Sequence, residues 1–172
     1  MKIILLMAMT IDGRIAKHAD HNVDWTSKAD KKLFVSETKK HGVMIMGSTT
    51  FKAIGSRALP NRLNYILTSD PEKFKDKEQA GLLEFAKGSP QKIVDNLTKK
   101  DFQSAILAGG AKTNSAFFEA GLVDEVMVTV EPKIFGQGMN ITEGQDFDLN
   151  LELIESKEIG DGAVLLHYKV IK

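Results

Sequence analysis

The chain has 172 residues, of which 42% are hydrophobic and 27% are charged, and this balance is that of a folded globular protein rather than a disordered one. Its 23 basic and 23 acidic residues cancel, so no net cationic field favours nucleic acid or an anionic membrane as a partner. The lack of cysteine excludes disulfides, thiolate zinc sites, iron–sulfur clusters and cysteine nucleophiles.

The first ten residues, MKIILLMAMT, are mostly apolar. They lack the pattern of a signal peptide, because no small-residue cleavage site follows them. No apolar run approaches the roughly 20 residues that a membrane-spanning helix needs. We therefore expect a cytoplasmic protein with a single domain over residues 1–172 and no membrane partner.

Apolar and charged segments alternate in the first half of the chain. Strands are predicted at 3–9, 43–46 and 63–67, because each is a short apolar run that ends at a turn. The pattern predicts helices at 29–41 and directly after Ser48. A long polar loop, residues 12–28, contains Trp25, and loops of this length are often functional.

The second half continues this alternation and ends in a hairpin. Strands are predicted at 82–85, 104–108 and 123–130, helices at 90–100 and 111–120, a loop at 69–77, and paired strands at 151–158 and 163–170. Phe117 and Phe118 are predicted to face the core from the last helix. This order predicts an α/β fold with a mostly parallel sheet and an antiparallel C-terminal hairpin.

Three predicted strands end in residues that are suited to binding anions: Gly47-Ser48-Thr49-Thr50, Thr68-Ser69 and Gly109-Gly110. In such sheets ligands bind beyond the carboxyl ends of the strands. Two helix N-termini that follow glycines could hold the two halves of a pyrophosphate, which points to a dinucleotide. The alternative is a pair of tight strand-to-helix turns, and no GxGxxG fingerprint is present.

Two charged residues are candidates for substrate binding. Asp30 opens the first helix, where it either caps the helix or presents a carboxylate to the N–H donors of a heterocycle in an apolar pocket formed by Trp25, Leu33 and Phe34. Burial there would raise its pKa. Arg62 is suited to binding a carboxylate, unless it is simply a solvated loop residue.

No metal site is predicted. His18 and His21 lie near Asp20 and Asp24, but these residues do not make a complete ligand set. We expect a solvated loop at this point.

Several blocks of the sequence resemble dihydrofolate reductase, and together they cover nearly the whole chain. They are 8–16 (AMTIDGRIA), 25–30 (WTSKAD) with Phe34, 44–47 (MIMG) with Thr50-Phe51 and Ile54-Gly55, 59–62 (LPNR) and 64–69 (NYILTS). In the second half, 121–125 (GLVDE) and 131–138 (EPKIFGQG) are instead similar to the reductase domain of riboflavin biosynthesis.

The resemblance implies a three-layer α/β/α fold and an NADPH-dependent reduction of 7,8-dihydrofolate to tetrahydrofolate, with hydride delivered to C6 of the pterin. It implies catalytic roles for Asp30, Trp25 and Thr129. The implied substrate-binding residues are Met7, Ala8, Asp30, Phe34, Ile54 and Arg62. The implied cofactor-binding residues are Ala8, Ile15, Gly47, Ser48, Thr49, Thr50, Leu67, Thr68, Ser69, Gly109, Gly110, Ala111, Lys112 and Thr113.

Two positions depart from the dihydrofolate reductase pattern. Ser48 stands where that family usually has an arginine for the 2′-phosphate of NADPH, although Ser69 is retained nearby, and Asn114 replaces a tyrosine near the nicotinamide. Asp30 favours a pterin, since a sugar phosphate requires a cationic cradle. The alternatives are a reductase of a ribosylaminopyrimidine phosphate in riboflavin biosynthesis, or an inactive nucleotide-binding module. The resemblance fits either a monomer or a homodimer.

Overall fold

The structure, a computed structural model, describes residues 1–144 and 146–172, and its strands join one sheet. The eight strands are β1 (Lys2–Thr10), β2 (Val43–Gly47), β3 (Leu63–Leu67), β4 (Leu83–Ala86), β5 (Ser104–Leu107), β6 (Glu125–Glu131), β7 (Leu151–Gly160) and β8 (Ala163–Val170). They lie in the order β4-β3-β2-β5-β1-β6-β8-β7. The first six strands in this order are parallel to their neighbours, whereas β8 runs antiparallel to both β6 and β7. The mostly parallel sheet and the antiparallel hairpin are therefore confirmed.

The apolar runs of the sequence become strands that are buried on both faces. In β1, Ile3 and Leu5 belong to one hydrophobic cluster, whereas Ile4 and Leu6 belong to the other, because successive side chains point to opposite faces of a strand. Helices α3 (Pro90–Thr98) and α4 (Ala111–Glu119) cover the first face. Helices α1 (Lys28–His41) and α2 (Ser48–Ala53) cover the second. The result is three layers, helix–sheet–helix.

Helix α1 has distinct signals at both ends. Ser27 is its N-cap, and the Ser27 Oγ atom accepts a hydrogen bond from the Asp30 N–H at 3.0 Å. Gly42 ends the helix in the left-handed conformation, with φ +73°, and its N–H donates to the Lys39 carbonyl. Because Ser27 caps the helix, the carboxyl of Asp30 is not the cap and points elsewhere.

Three local predictions differ from the structure. Residues 69–77, predicted as a loop, contain a 3₁₀ helix over Pro71–Lys77, and Phe74 of this helix stacks on Phe85 at 4.7 Å. Phe118 is only partly buried, since it stacks on Phe147 at the edge of the core. The long loop also contains a 3₁₀ turn, Val23–Trp25. No helix in the described parts of the chain is long and apolar enough to span a membrane.

Candidate active site

A cleft of about 390 Å³ lies at the carboxyl ends of the parallel strands. It is formed where β2 and β3 end and α4 begins, and the Gly47 N–H donates to the Gly109 carbonyl at 2.8 Å, which joins two of the predicted strand ends directly. The lining residues are Gly47, Ser48, Thr49, Leu67, Thr68, Ser69, Ala86, Lys87, Gly88 and Thr113. Seven of these belong to the residue set that the sequence associates with the cofactor.

The backbone in this region is packed too closely for side chains. A Cβ atom on Gly47 would lie 2.8 Å from Thr113 Oγ1, and one on Gly109 would lie 3.1 Å from Met7 Sδ. Gly110 is the N-cap of α4, and the Gly109–Gly110 peptide is cis. Glycine turns at adjacent helix N-termini expose backbone N–H groups, so these residues fit the pyrophosphate of a dinucleotide.

One functional candidate in this cleft was missed by the sequence analysis. Lys87 follows the edge strand β4 and is the one cation among the described residues that line the cleft. Ser48 and Ser69 lie on the same cleft, so a phosphate ester bound there would meet two hydroxyls and an ammonium group. The signal in the sequence was a lysine two residues after the predicted edge strand at 82–85, next to Gly88.

Asp30 lies in the first turn of α1 and is only 8% exposed. Burial raises the pKa of its carboxyl. The nearby hydroxyls of Thr129 and Thr26 act in the opposite direction, and the charge of Glu131 adds to the rise. Thr129 Oγ1 is buried beside the carboxyl but closes no hydrogen bond of good geometry with any described residue. The site therefore contains a buried acid whose pKa lies above its ordinary value.

Glu131, the last residue of β6, is a second buried acid next to Asp30 and is 1% exposed. Its Oε1 atom accepts hydrogen bonds from the Ser27 N–H at 2.9 Å and from the Ser27 hydroxyl at 2.8 Å. The sequence analysis did not single out this residue as functional. Its position two residues after Thr129 on the same strand was the available signal, because such residues share a face.

Arg62 is not a solvated loop residue, since it is only 6% exposed. Its Nη1 atom donates to the Val35 carbonyl of α1 at 3.2 Å, and burial lowers the pKa of the guanidinium. Its Nε atom is buried without a hydrogen-bond partner among residues 1–144 and 146–172. A buried guanidinium that is only partly satisfied is a site where an anionic group of a ligand would be stabilised.

The long loop is tied to the segment that follows β6. The Asp12 carboxylate accepts hydrogen bonds from the N–H groups of Phe135 and Gly136, at 3.2 and 2.7 Å. The hydrogen bond from the Thr10 hydroxyl, and then these two backbone bonds, lower the pKa of Asp12. Trp25 packs edge-on against Phe135, with ring centroids 5.0 Å apart. The loop therefore lies in a defined position at the start of α1, beside Asp30.

The remaining predicted residues lie in several places. Phe34 and Ile54 pack against the α1–α2 side of the sheet, and Met7 and Ala8 lie in β1. Others lie away from the cleft lining: the Ile15 N–H donates to the Met139 carbonyl, and Lys112 is exposed on α4. The Thr50 hydroxyl lies close to Gly110, since a Cβ atom on that glycine would be 3.1 Å from Thr50 Oγ1. Ala111 is buried at the start of α4. Asn114 is fully buried, and its Nδ2 atom donates to the Ile141 carbonyl at 2.7 Å.

Comparison of the sequence with known proteins relates the chain to a family of reductases. The family model described as "RibD C-terminal domain" matches residues 1–165. The uncharacterised protein YwjB of Bacillus subtilis is 26% identical over 97% of both chains. The dihydrofolate reductase of Staphylococcus haemolyticus is 39% identical, but the match covers only 50% of each chain.

Solved structures show the same fold. A pyrimidine reductase-like protein of Corynebacterium diphtheriae superposes with a TM-score of 0.84 at 15% identity, covering 99% of this chain and 92% of that one. A Thermotoga maritima diaminohydroxyphosphoribosylaminopyrimidine deaminase/5-amino-6-(5-phosphoribosylamino)uracil reductase gives a TM-score of 0.78 at 19% identity. The superposition covers 99% of this chain and 56% of that one. Dihydrofolate reductase of Enterococcus faecalis, complexed with NADP(H), gives 0.73 at 20% identity, covering 99% and 97%.

Proposed function

The chain belongs to the RibD C-terminal domain family, and on that premise we propose that it is an NADPH-dependent reductase acting on a carbon–nitrogen bond of a small molecule with a pyrimidine ring. The observation that carries the proposal is the buried Asp30 carboxyl, which faces Thr129 at the sheet edge that also holds the glycine-lined cleft. A buried acid that forms no ion pair with any described residue is suited to fixing a polar ring in one orientation.

NADPH, when bound, supplies the hydride. The backbone N–H groups at Gly110 and at the start of α2 would bind the pyrophosphate, while Ser48, Ser69 and Lys87 would bind the phosphorylated end of the cofactor. The ring of the substrate would lie against Asp30, near Met7 and Ala8 of β1. Holding the nicotinamide and the carbon that accepts the hydride in a fixed relative position is a large part of what a protein contributes to hydride transfer.

The substrate is further expected to carry a negative charge. Val35, whose carbonyl holds Arg62, lies about 7.5 Å further along the axis of α1 than Asp30, at a rise of about 1.5 Å per residue. A ligand whose ring reaches Asp30 could therefore place an anionic group at Arg62. Both a glutamate carboxylate and a sugar phosphate satisfy this requirement.

Two substrates meet these conditions, and a different observation favours each. The family match extends through the second half of the chain and favours a ribosylaminopyrimidine phosphate of riboflavin biosynthesis. The resemblance of the Trp25–Asp30 block to dihydrofolate reductase favours 7,8-dihydrofolate, in which N3–H and the 2-amino group offer two parallel donors to a carboxylate.

The loop at 12–25 has a supporting role in this proposal. Trp25 packs on Phe135 and lies five residues before Asp30, so a ring bound at Asp30 would be shielded by this pair, and excluding water strengthens the electrostatic contacts of a bound ring. Release of the loop from the segment after β6 would open the site for exchange of product.

The deciding experiment is to follow NADPH absorbance with each of the two substrates in turn, with NADH as a comparison. We expect oxidation of NADPH with one of them, and reduced turnover of that substrate in the Arg62→Leu variant. The same variant should bind NADPH as the wild type does, because Arg62 lies apart from the cofactor cleft. No oxidation with either substrate, together with measurable NADPH binding, would favour an inactive nucleotide-binding module.

A further inference from the structure

Strand β7 forms one edge of the sheet and exposes apolar side chains there. It is ten residues long, and Leu151, Leu153 and Ile154 are 44%, 53% and 50% exposed. Val164 of β8 and Ile171, which follows β8, are exposed as well. Five of the nine large apolar side chains that are exposed in the described parts of the chain therefore lie in this hairpin or at its end. A long apolar edge strand is open to pairing with another chain.

The opposite edge of the sheet is protected by the chain itself. Strand β4 is only four residues long, and its Leu83 N–H donates to the Gln79 carbonyl at 2.8 Å. The Phe85 N–H donates to Glu78 Oε1 at 3.1 Å. Within residues 1–144 and 146–172, by contrast, the backbone of β7 forms hydrogen bonds only inside the hairpin. Its outer side is therefore available to a partner strand.

A β-bulge directly after Leu153 limits how β7 can pair. Before the bulge, Leu153 lies opposite Tyr168 on the α3–α4 face of the sheet, so Glu152 lies on the α1–α2 face. After the bulge, Lys157 lies opposite Leu165 and therefore also on the α1–α2 face. The residues that share a face are thus odd-numbered on one side of the bulge and even-numbered on the other.

Two copies of β7 can pair antiparallel about a two-fold axis that is perpendicular to the sheet. This symmetry makes each face of one copy continuous with the same face of the other, so residues that lie opposite each other have to share a face. Two registers that are centred on the bulge meet this condition. One places Glu152 opposite the partner's Glu155, and the other places Glu152 opposite the partner's Lys157. The second register brings opposite charges together, and the symmetry repeats this contact.

We propose that this chain forms a homodimer in which β7 pairs antiparallel with β7 of a second copy, with Glu152 opposite the partner's Lys157. A second copy fits this edge because Glu152 and Lys157 have opposite charges and lie equally far along the chain from the centre of the bulge. In this register Leu153 and its symmetry mate approach each other on the α3–α4 face, which covers apolar surface that one copy exposes. The inference goes beyond the proposed function and does not depend on the substrate.

The same hairpin supports the start of α1, so this pairing has a consequence for the candidate site. Asp161, in the turn between β7 and β8, accepts a hydrogen bond from the Ala29 N–H at 3.1 Å. Gly160 lies against the same residue, since a Cβ atom on this glycine would be 3.6 Å from Ala29 Cβ. Ala29 directly precedes Asp30. A second copy on the outer side of β7 would therefore hold the hairpin against the helix that carries this buried acid.

The test measures the oligomeric state of the full chain by analytical ultracentrifugation over a series of protein concentrations. We expect the wild type to be a dimer. Lys157→Glu and Glu152→Lys each replace two attractions across the axis by two repulsions, so each should raise the dimer dissociation constant by about tenfold or more, and by less at high ionic strength. Lys99→Glu, at an exposed position where α3 ends, makes the same change in net charge and is the matched control. It should leave the dissociation constant unchanged.

An equimolar mixture of the two charge variants tests the register directly. One variant then presents two acids and the other two lysines, so a heterodimer should form with about the dissociation constant of the wild type, and this recovery would also show that both variants are folded. The proposal is wrong if the wild type is a monomer at every concentration, if the charge variants dimerise as the wild type does, or if mixing them recovers nothing. The reductase proposal stands or falls separately, on the oxidation of NADPH.

Discussion

Gly47 and Thr113 are packed directly against each other where β2 ends and α4 begins, and a Cβ atom on Gly47 would come within 2.8 Å of Thr113 Oγ1. The Gly47→Ala substitution should therefore push α4 away from β2 and weaken NADPH binding by about tenfold or more, since small displacements of a preformed site are costly. Titration of NADPH against protein fluorescence measures this effect. The double variant Gly47→Ala/Thr113→Ala, which recreates the space, should recover part of the affinity; no recovery would show that the contact is not the cause.

Lys87 should discriminate between the two nicotinamide cofactors. Its ammonium group lies on the cleft with Ser48 and Ser69, where the 2′-phosphate of NADPH would make a charge-assisted contact of about 1.5–3 kcal/mol. The Lys87→Ala variant should bind NADPH at least tenfold more weakly and NADH unchanged. Lys92→Ala is the matched control, because Lys92 lies against Gly88 but does not line the cleft. An equal loss for both cofactors would assign Lys87 a structural role.

Asp30 should reduce the stability of the fold at neutral pH. Burial raises the pKa of its carboxyl in the folded state above that in the unfolded state. Its contribution to stability is therefore fully present below the unfolded pKa and is lost as the pH rises through the folded pKa. The Asp30→Asn variant should be more stable than the wild type above the folded pKa, by about 1.4 kcal/mol for each unit of difference, and the gain should vanish in acid.

Urea unfolding at a series of pH values measures this gain. Asp24→Asn, an exposed acid on the neighbouring 3₁₀ turn, should show no such trend. A gain for Asp30→Asn that does not change with pH would mean that the effect comes from packing or hydrogen bonding rather than from charge.

Gly138 should hold the long loop in place. It has φ +154°, and a Cβ atom there would overlap the carbonyl oxygen of Ala16, at the point where Ala16 and Met139 form a β-bridge. The Gly138→Ala variant should displace the loop and change the emission of Trp25, which is the protein's only tryptophan. Turnover should fall as well. Gly121→Ala introduces the same kind of strain, at φ +65° with no neighbour within 4 Å, in the turn after α4, and it should leave the emission nearly unchanged.

The fold was largely predictable because local signals agree with the final structure. The strand at 3–9 is a continuous apolar run, and such a run is stable only between two covered faces, as β1 is. Gly160-Asp161-Gly162 marked the hairpin, and Gly160 and Ala163 are paired at its closed end. The 3₁₀ helix at Pro71–Lys77 was not predictable, since it is stabilised by the stacking of Phe74 on Phe85 rather than by a pattern of its own.

The candidate site was predictable only where a residue's chemistry is visible in its neighbours along the chain. Glycines before helices indicated the cleft: Gly47 lines it, and Gly109 is joined to Gly47 by a backbone hydrogen bond. The burial of Arg62 depends on the Val35 carbonyl, and the environment of Glu131 depends on Ser27, which is 104 positions away. Contacts of this range follow from the topology of the sheet and leave no periodic trace in the sequence.

The central position of β1 has a consequence for synthesis on the ribosome. This strand emerges early, yet its two neighbours in the sheet are β5 and β6, whose pairing begins with Lys2 opposite Ser104 and Ile4 opposite Glu125. A nascent chain therefore exposes an apolar strand with both hydrogen-bonding edges open until most of the protein has been translated. Such a segment is prone to association with other unfinished chains.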